Sequence, residues 1–298
     1  MATQLRLIGL IAVAALSIAN TCVAADPNDP APGRLIPVDG RKLHILCKGT
    51  GGPTVVIEPG GGVASKWWWP VQDRVAAFAR VCTYDRAGYG WSEQAPAARS
   101  ILDRARELHA VLEGAGERGP YVLVGHSYGG LIIRAFTGLY PSAVAGMVLV
   151  DAAEEEVVYR PEVLSSFARQ GAAAKAREAK IRSGELPGGV PLANEYAAMV
   201  DEGASYQLVP SGMRGAGGFG DLGERPLVVI AHGKPFTGDA AFLEPPWPDG
   251  QRRLVSLSRR GKLVTATESD HNTIMISQPD LIVGEIKGVV AAATALRP

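Results

Sequence analysis

This chain of 298 residues is short of several things. No stretch is rich in Lys or Arg, and 30 basic residues balance 30 acidic ones. Nothing therefore favours nucleic acid or an anionic membrane surface as a partner. Long apolar runs are missing too. The uncharged, mostly apolar segment Leu7 to Ala19 spans 13 residues, below the roughly 20 that a membrane-spanning helix needs, so no stable membrane anchor is predicted. With one positive charge in Met1 to Arg6 before it and the small residues Val23-Ala24-Ala25 after it, residues 1–25 read as a secretory signal peptide cleaved near Ala25. Asn20 and Thr21 precede Cys22 where a lipoprotein signal would place small residues, which argues against lipidation. The remaining 26–298 is predicted to be secreted or periplasmic.

Cysteine is the scarcest chemical group. Once the signal peptide is removed, only Cys47 and Cys82 remain. In an oxidising compartment they form a disulfide or persist as buried thiols, and their spacing leaves both readings open. There is no internal repeat. The length, with 47% hydrophobic residues, suits one large core and a single elaborated α/β domain.

What is present centres on Tyr121 to Gly130, a buried strand that runs into a helix through Gly125-His126-Ser127-Tyr128-Gly129. A reactive serine at a sharp strand-to-helix turn leaves no room for side chains two positions to either side, and Gly125 and Gly129 meet that need. Leu131 to Phe136 continues at helical spacing. Ser127 is the candidate nucleophile.

Around this turn the chain alternates strand and helix. Leu35 to Val38 and Lys42 to Cys47 are predicted to form a hairpin across Asp39-Gly40. Thr54 to Ile57 has the β-branched character of a strand buried on both faces. It ends in Glu58-Pro59-Gly60-Gly61-Gly62, whose glycines let backbone N–H groups point into a crevice and hold an oxyanion. Lys66 to Ala79 is predicted helical and opens with Trp67-Trp68-Trp69. Successive helical residues point about 100° apart, so the three rings cannot all face the sheet; Trp67 and Trp68, with Gly60 and Gly62, are candidates for a substrate pocket. Arg80 to Asp85 reads as a strand, Ile101 to Glu113 as a helix, and Val144 to Val150 as a strand ending in Asp151. From 152 to about 224 no strand pattern occurs. Helical stretches at Pro161 to Arg182 and Asn194 to Asp201, broken by Pro187-Gly188-Gly189 and by Gly212 to Gly220, indicate a helical cap insertion. Pro226 to Ala231 (strand), Gln251 to Arg260 (helix), Lys262 to Thr267 (strand) and Asp280 to Ala293 (helix) complete the pattern.

Such alternation indicates a largely parallel sheet covered on both faces, with ligands at the carboxyl ends of its strands. Ser127, Gly60 to Gly62, Asp151 and His271 all lie at such ends. Of the five histidines, His44 and His109 precede the serine, and His126 adjoins it with its ring predicted to point away. His232 and His271 remain as bases, and His271, in the polar loop Glu268 to Asn272, is favoured because it can swing over the serine. Asp85 reads as a carboxylate that binds loop amides.

Four pieces together resemble the α/β-hydrolase superfamily in its capped, single-domain form: Gly60 to Gly62, Tyr84 to Ser92, Gly125 to Gly130, and the late His271. The match covers nearly all of Leu35 to Arg297. The resemblance implies a mostly parallel eight-stranded sheet with helices on both faces. In it Ser127 attacks an acyl carbon, His271 takes and returns the proton, and the N–H groups of Gly61 and Tyr128 stabilise the oxyanion. Two departures stand out. Glu58-Pro59 replaces the His-Gly of many relatives. No carboxylate occurs in Ala231 to Phe236, where relatives commonly keep the third triad member; some branches use an acid after the preceding strand, where Asp151 stands, and Asp239 is its rival. The fold also makes the second strand a neighbour of the fourth, which predicts a Cys47 to Cys82 disulfide. The implied function is a serine hydrolase acting on an uncharged or apolar small-molecule ester, most simply a carboxylesterase. No metal or organic cofactor is implied. Amide, lactone or carbon–carbon hydrolysis, and lyase or cofactor-free haloperoxidase chemistry, use the same constellation, and a non-catalytic ligand-binding relative would keep the same fold.

Overall fold

A computed structural model describes residues 30–95, 99–206 and 221–296. The predicted signal peptide and the Gly212 to Gly220 break lie outside these residues. The strands are β1 (Arg34–Val38), β2 (Arg41–Lys48), β3 (Val55–Glu58), β4 (Val81–Tyr84), β5 (Tyr121–His126), β6 (Val144–Val150), β7 (Leu227–His232) and β8 (Gly261–Ala266). They form one sheet in the order β1-β2-β4-β3-β5-β6-β7-β8. The hairpin β1–β2 and the β2–β4 pair are antiparallel, and every other pair is parallel.

Period-two alternation sorts the central strands into two cores. Val56, Leu123, Leu149 and Val229 face the layer that contains α2 (Ile101–Gly114) and α3 (Tyr128–Leu139). Val55, Val122, Val124, Val148 and Ile230 face the layer of α1 (Trp69–Val75) and α7 (Pro279–Ala295). Because both faces are covered, these strands read as continuous apolar runs and not as alternating ones. Each side chain buried in this way contributes about 1.5–3 kcal/mol. Helix α2 starts at a reciprocal cap, with Ser100 and Asp103 each accepting from the other's backbone N–H.

Some boundaries differ from the sequence reading. The single helix predicted over Lys66 to Ala79 is a 3-10 turn, Ser65–Trp68, followed by α1, because Pro70 lacks an N–H and is suited to a helix start. The helix predicted at Gln251 begins earlier, as α6 (Trp247–Val255), with Pro248 in its first turn for the same reason. Between β6 and β7 the described chain is helical: one turn at Glu155–Val158, then α4 (Pro161–Arg182) and α5 (Gly189–Ser205), which pack on each other.

Cys47 and Cys82 face each other across the β2–β4 register and form a disulfide. No helix among the described residues is long and apolar enough to cross a membrane.

Candidate active site

Ser127 sits between β5 and α3 with φ 49° and ψ −118°, a backbone conformation that L residues rarely adopt. The turn is tight enough to demand its glycines. A Cβ on Gly129 would stand 2.4 Å from the Glu58 carbonyl oxygen, and one on Gly125 would stand 2.7 Å from Ile133 Cδ1. Ser127 Oγ lies 2.9 Å from His271 Nε2, and His271 Nδ1 lies 2.6 Å from Asp151 Oδ2. Three segments distant in sequence are thus joined in one line. Asp151, at the end of β6, also has positive φ (43°), which turns its carboxylate back toward the sheet end. Asp239 is exposed in the 3-10 turn Gly238–Leu243, away from these partners.

Asp151 is fully buried and accepts four hydrogen bonds. Its Oδ2 takes His271 Nδ1–H and His232 Nδ1–H at 2.6 and 2.7 Å; its Oδ1 takes Trp247 Nε1–H at 2.8 Å and the His232 backbone N–H at 3.2 Å. Burial alone would raise its pKa. The bonds from His232 and His271, with the charges of those rings, outweigh burial and hold it far below the usual carboxylate range. Ligand atoms of Asp151, His232 and His271 lie within 4.8 Å of one another, but both rings address the same carboxylate oxygen, so the three groups satisfy each other as hydrogen-bond partners. His126, read from sequence as pointing away, instead reaches the His271 backbone. Its Nε2–H donates to the His271 carbonyl at 3.0 Å, and burial lowers its pKa to about 3, so it is a neutral prop for the loop.

The glycine loop after β3 lies on the other side of Ser127. A Cβ on Gly61 would approach Tyr128 Cβ to 3.4 Å, so the two residues are adjacent. Tyr128 opens α3, where N–H groups lack intrahelical partners and the helix dipole favours negative charge. The Gly62 N–H is taken by Glu202 Oε2 at 2.8 Å. Glu202 belongs to α5 and also accepts from Arg86 Nε at 2.7 Å and Tyr89 OH at 2.9 Å. Arg86 in turn donates to Glu58 Oε1 and to the carbonyls of Pro59 and Gly60. One buried guanidinium therefore ties the loop to the inserted helices.

Ser127, Gly61, Gly62, Tyr128 and His271 line a cavity of about 230 Å³. Most of its wall is apolar, including Phe167, Met199, Tyr206, Phe236, Leu243 and Trp247, contributed by the insertion and the segment after β7.

A profile of the alpha/beta hydrolase family matches residues 55–285. The chain belongs to the alpha/beta hydrolase family. It is 28% identical over 260 residues to an uncharacterised protein, YqjL, of Bacillus subtilis (strain 168), covering 86% of this chain and 91% of that one. Among solved structures it resembles the alpha/beta hydrolase MGS-M2 from a Medee basin deep-sea metagenome library, with TM-score 0.67, 16% identity, and coverage of 85% of this chain and 96% of that one. It also resembles a thermophilic esterase from Thermogutta terrifontis, with TM-score 0.62, 18% identity, and coverage of 87% and 97%. At such identity these structures establish the fold shared across the alpha/beta hydrolase family.

Three residues predicted to bind substrate are not among those lining this cavity. Trp68 is fully buried in the core between the sheet and α1, and Trp67 packs half-buried on the same cluster, because the 3-10 turn directs them toward the sheet. Gly60 is a spacer: a Cβ there would stand 2.6 Å from His126 Nδ1. The aromatic wall comes instead from Phe167, Tyr206, Phe236 and Trp247. Asp85 behaves as expected for a loop-shaping carboxylate, accepting from the N–H of Ser65 and Trp91 and bonding His44 Nδ1. Sequence reasoning passed over Glu202, Glu244 and Trp247. Only Glu202 left a signal, as an acid at the buried spacing of Ala198 and Ser205 on α5.

Proposed function

We propose that this family member is a serine hydrolase that cleaves a neutral carboxylic ester bearing an apolar group. The carrying observation is the unbroken Ser127–His271–Asp151 line, 2.9 and 2.6 Å, opening onto a mostly apolar cavity. Ser127 Oγ attacks the acyl carbon as its proton passes to His271 Nε2. Asp151 holds the ring by Nδ1–H and stabilises the imidazolium as it forms. The N–H groups of Gly61 and Tyr128 receive the oxyanion, Gly62 being engaged by Glu202. His271 returns the proton to the departing alcohol, and water repeats the sequence on the acyl-enzyme. Glu202, the carboxylate on the cavity wall, already serves Arg86, Tyr89 and Gly62, which leaves the cavity suited to uncharged substrates.

A fluorophosphonate is expected to label Ser127, and Ser127→Ala to abolish labelling and lower kcat about a million-fold. Labelling or turnover retained in that variant would overturn the assignment. Comparing short and long acyl esters of one chromogenic alcohol then defines the apolar group. A leader, predicted from sequence at 1–25, would extend the proposal to a secreted or periplasmic enzyme, tested by the amino-terminal sequence of exported protein, expected near Asp26.

A further inference from the structure

The carboxylate that supports His271 supports a second imidazole. His232 Nδ1 lies 2.7 Å from Asp151 Oδ2, and its Nε2 lies 3.2 Å from Glu244 Oε2, which also accepts the Phe236 N–H at 2.8 Å. Carboxylate oxygens accept and do not donate. A neutral imidazole has one donor and one acceptor nitrogen, so only the doubly protonated ring satisfies both contacts. The ring is held in place: its side chain is 4% exposed, with Phe236 edge-on at 4.8 Å and Trp247 at 6.3 Å. The titratable groups that face it are Asp151 from the end of β6, Glu244 from the turn after β7, and His271 across the shared carboxylate; behind His271 stands the neutral His126. Burial by itself would lower the pKa of His232, but Asp151 and Glu244 outweigh it and raise it.

We propose that His232 is a positioning residue of the Ser127 reaction, a resident imidazolium that shares Asp151 with His271 and restrains how tightly the base holds its proton. The proposal rests on the serine-hydrolase reading above. When His271 accepts the Ser127 proton, a second cation forms on the same carboxylate oxygen. The two Nδ1 atoms meet at that oxygen, 2.6 and 2.7 Å from it, so repulsion disfavours the protonated base in the resting enzyme. Removal of the His232 charge is then expected to let the base hold its proton more tightly. His232 is the last residue of β7, which runs parallel beside β6, so the ring and Asp151 stand at neighbouring strand ends.

The test is the pH profile of fluorophosphonate labelling, which needs no knowledge of the substrate. In His232→Gln, whose amide can donate to Asp151 without charge, the acidic limb is expected to move to higher pH by about one unit. An unmoved limb, or one moved to lower pH, would overturn the proposal. Absence of labelling in the unsubstituted protein at every pH would instead refute the serine-hydrolase reading. Nitrogen-15 histidine NMR of the unsubstituted protein provides a second measurement if the variant does not fold. At a pH above the acidic limb of labelling, one imidazolium is expected in the resting protein, with resonances that shift when Ser127 is phosphonylated. No such responsive imidazolium before labelling would also reject the proposal.

Discussion

On one side of Ser127, Asp151 receives four hydrogen bonds and stays ionised; on the other, Glu58 and Glu202 share a single guanidinium, Arg86. Both regions are equally dry, with side-chain exposures of 0% for Asp151, 0% for Glu58 and 1% for Arg86. Their carboxylates nonetheless respond in opposite directions. Burial raises Glu58 to about 7, Arg86 opposing it and the charge of Glu202 adding to it, whereas Asp151 is driven down by its donors. Burial raises both carboxyls, and the donors and charges around each one decide whether that rise is overcome. The consequence is a division of labour. In the proposed reaction the Asp151 side passes a proton. The Arg86 side passes none, and its bonds to the Pro59 and Gly60 carbonyls and, through Glu202, to the Gly62 N–H hold the glycine loop in shape.

Substitutions on the two sides are expected to break different things. The largest effect belongs to Asp151. Asp151→Asn keeps the shape and removes the charge, and kcat on a chromogenic ester is expected to fall on the order of ten-thousand-fold. Asp239→Asn, in the exposed turn, is expected to change it little, and the reverse pattern in folded variants would move the role to Asp239. Next is Glu202→Ala on the opposite side. It frees the Gly62 N–H and uncouples α5 from the loop, and should lower kcat about tenfold, less than the roughly hundredfold or more that follows loss of an oxyanion donor itself. Its pH profile should not move. A shifted acidic limb in Glu202→Ala would mean that the two sides are not independent.

The smallest effect concerns stability. The Glu58 carboxyl lies at 4.5 when unfolded and about 7 when folded. Between those values the folded chain binds a proton that the unfolded chain has released, so this contribution is complete below the lower value and is lost as pH rises through the upper one. Glu58→Gln keeps an acceptor for Arg86 and cannot ionise. Relative to it, the native Tm is expected to decline by a few degrees, on the order of what such a shift produces, between pH 5 and 8. Parallel Tm curves for the two proteins would show that Glu58 does not titrate in this window.

Local sequence determined a good deal here, because some signals are written in neighbouring residues. Apolar β-branched runs and helical spacing located all eight strands and the main helices, since periodicity reflects which faces must leave water. Gly125 and Gly129 marked the elbow because steric exclusion acts within two residues. The position of His271 after the last strand was equally local. The third partner was less so: Asp151 is legible as a residue at a strand end, but only the packing of the strands into one sheet puts it within reach of His271 in the loop after β8. Tertiary structure alone decided the rest. Trp67 and Trp68 resemble pocket residues until the 3-10 turn ahead of α1 directs Trp68 into the core and Trp67 against it. The pairings of Glu202 with Gly62, 140 positions apart, and of His232 with Asp151, 81 apart, follow from no local pattern. A hydrogen bond requires two groups to meet within about 3 Å, and for residues so distant that meeting is set by how the sheet and the inserted helices pack.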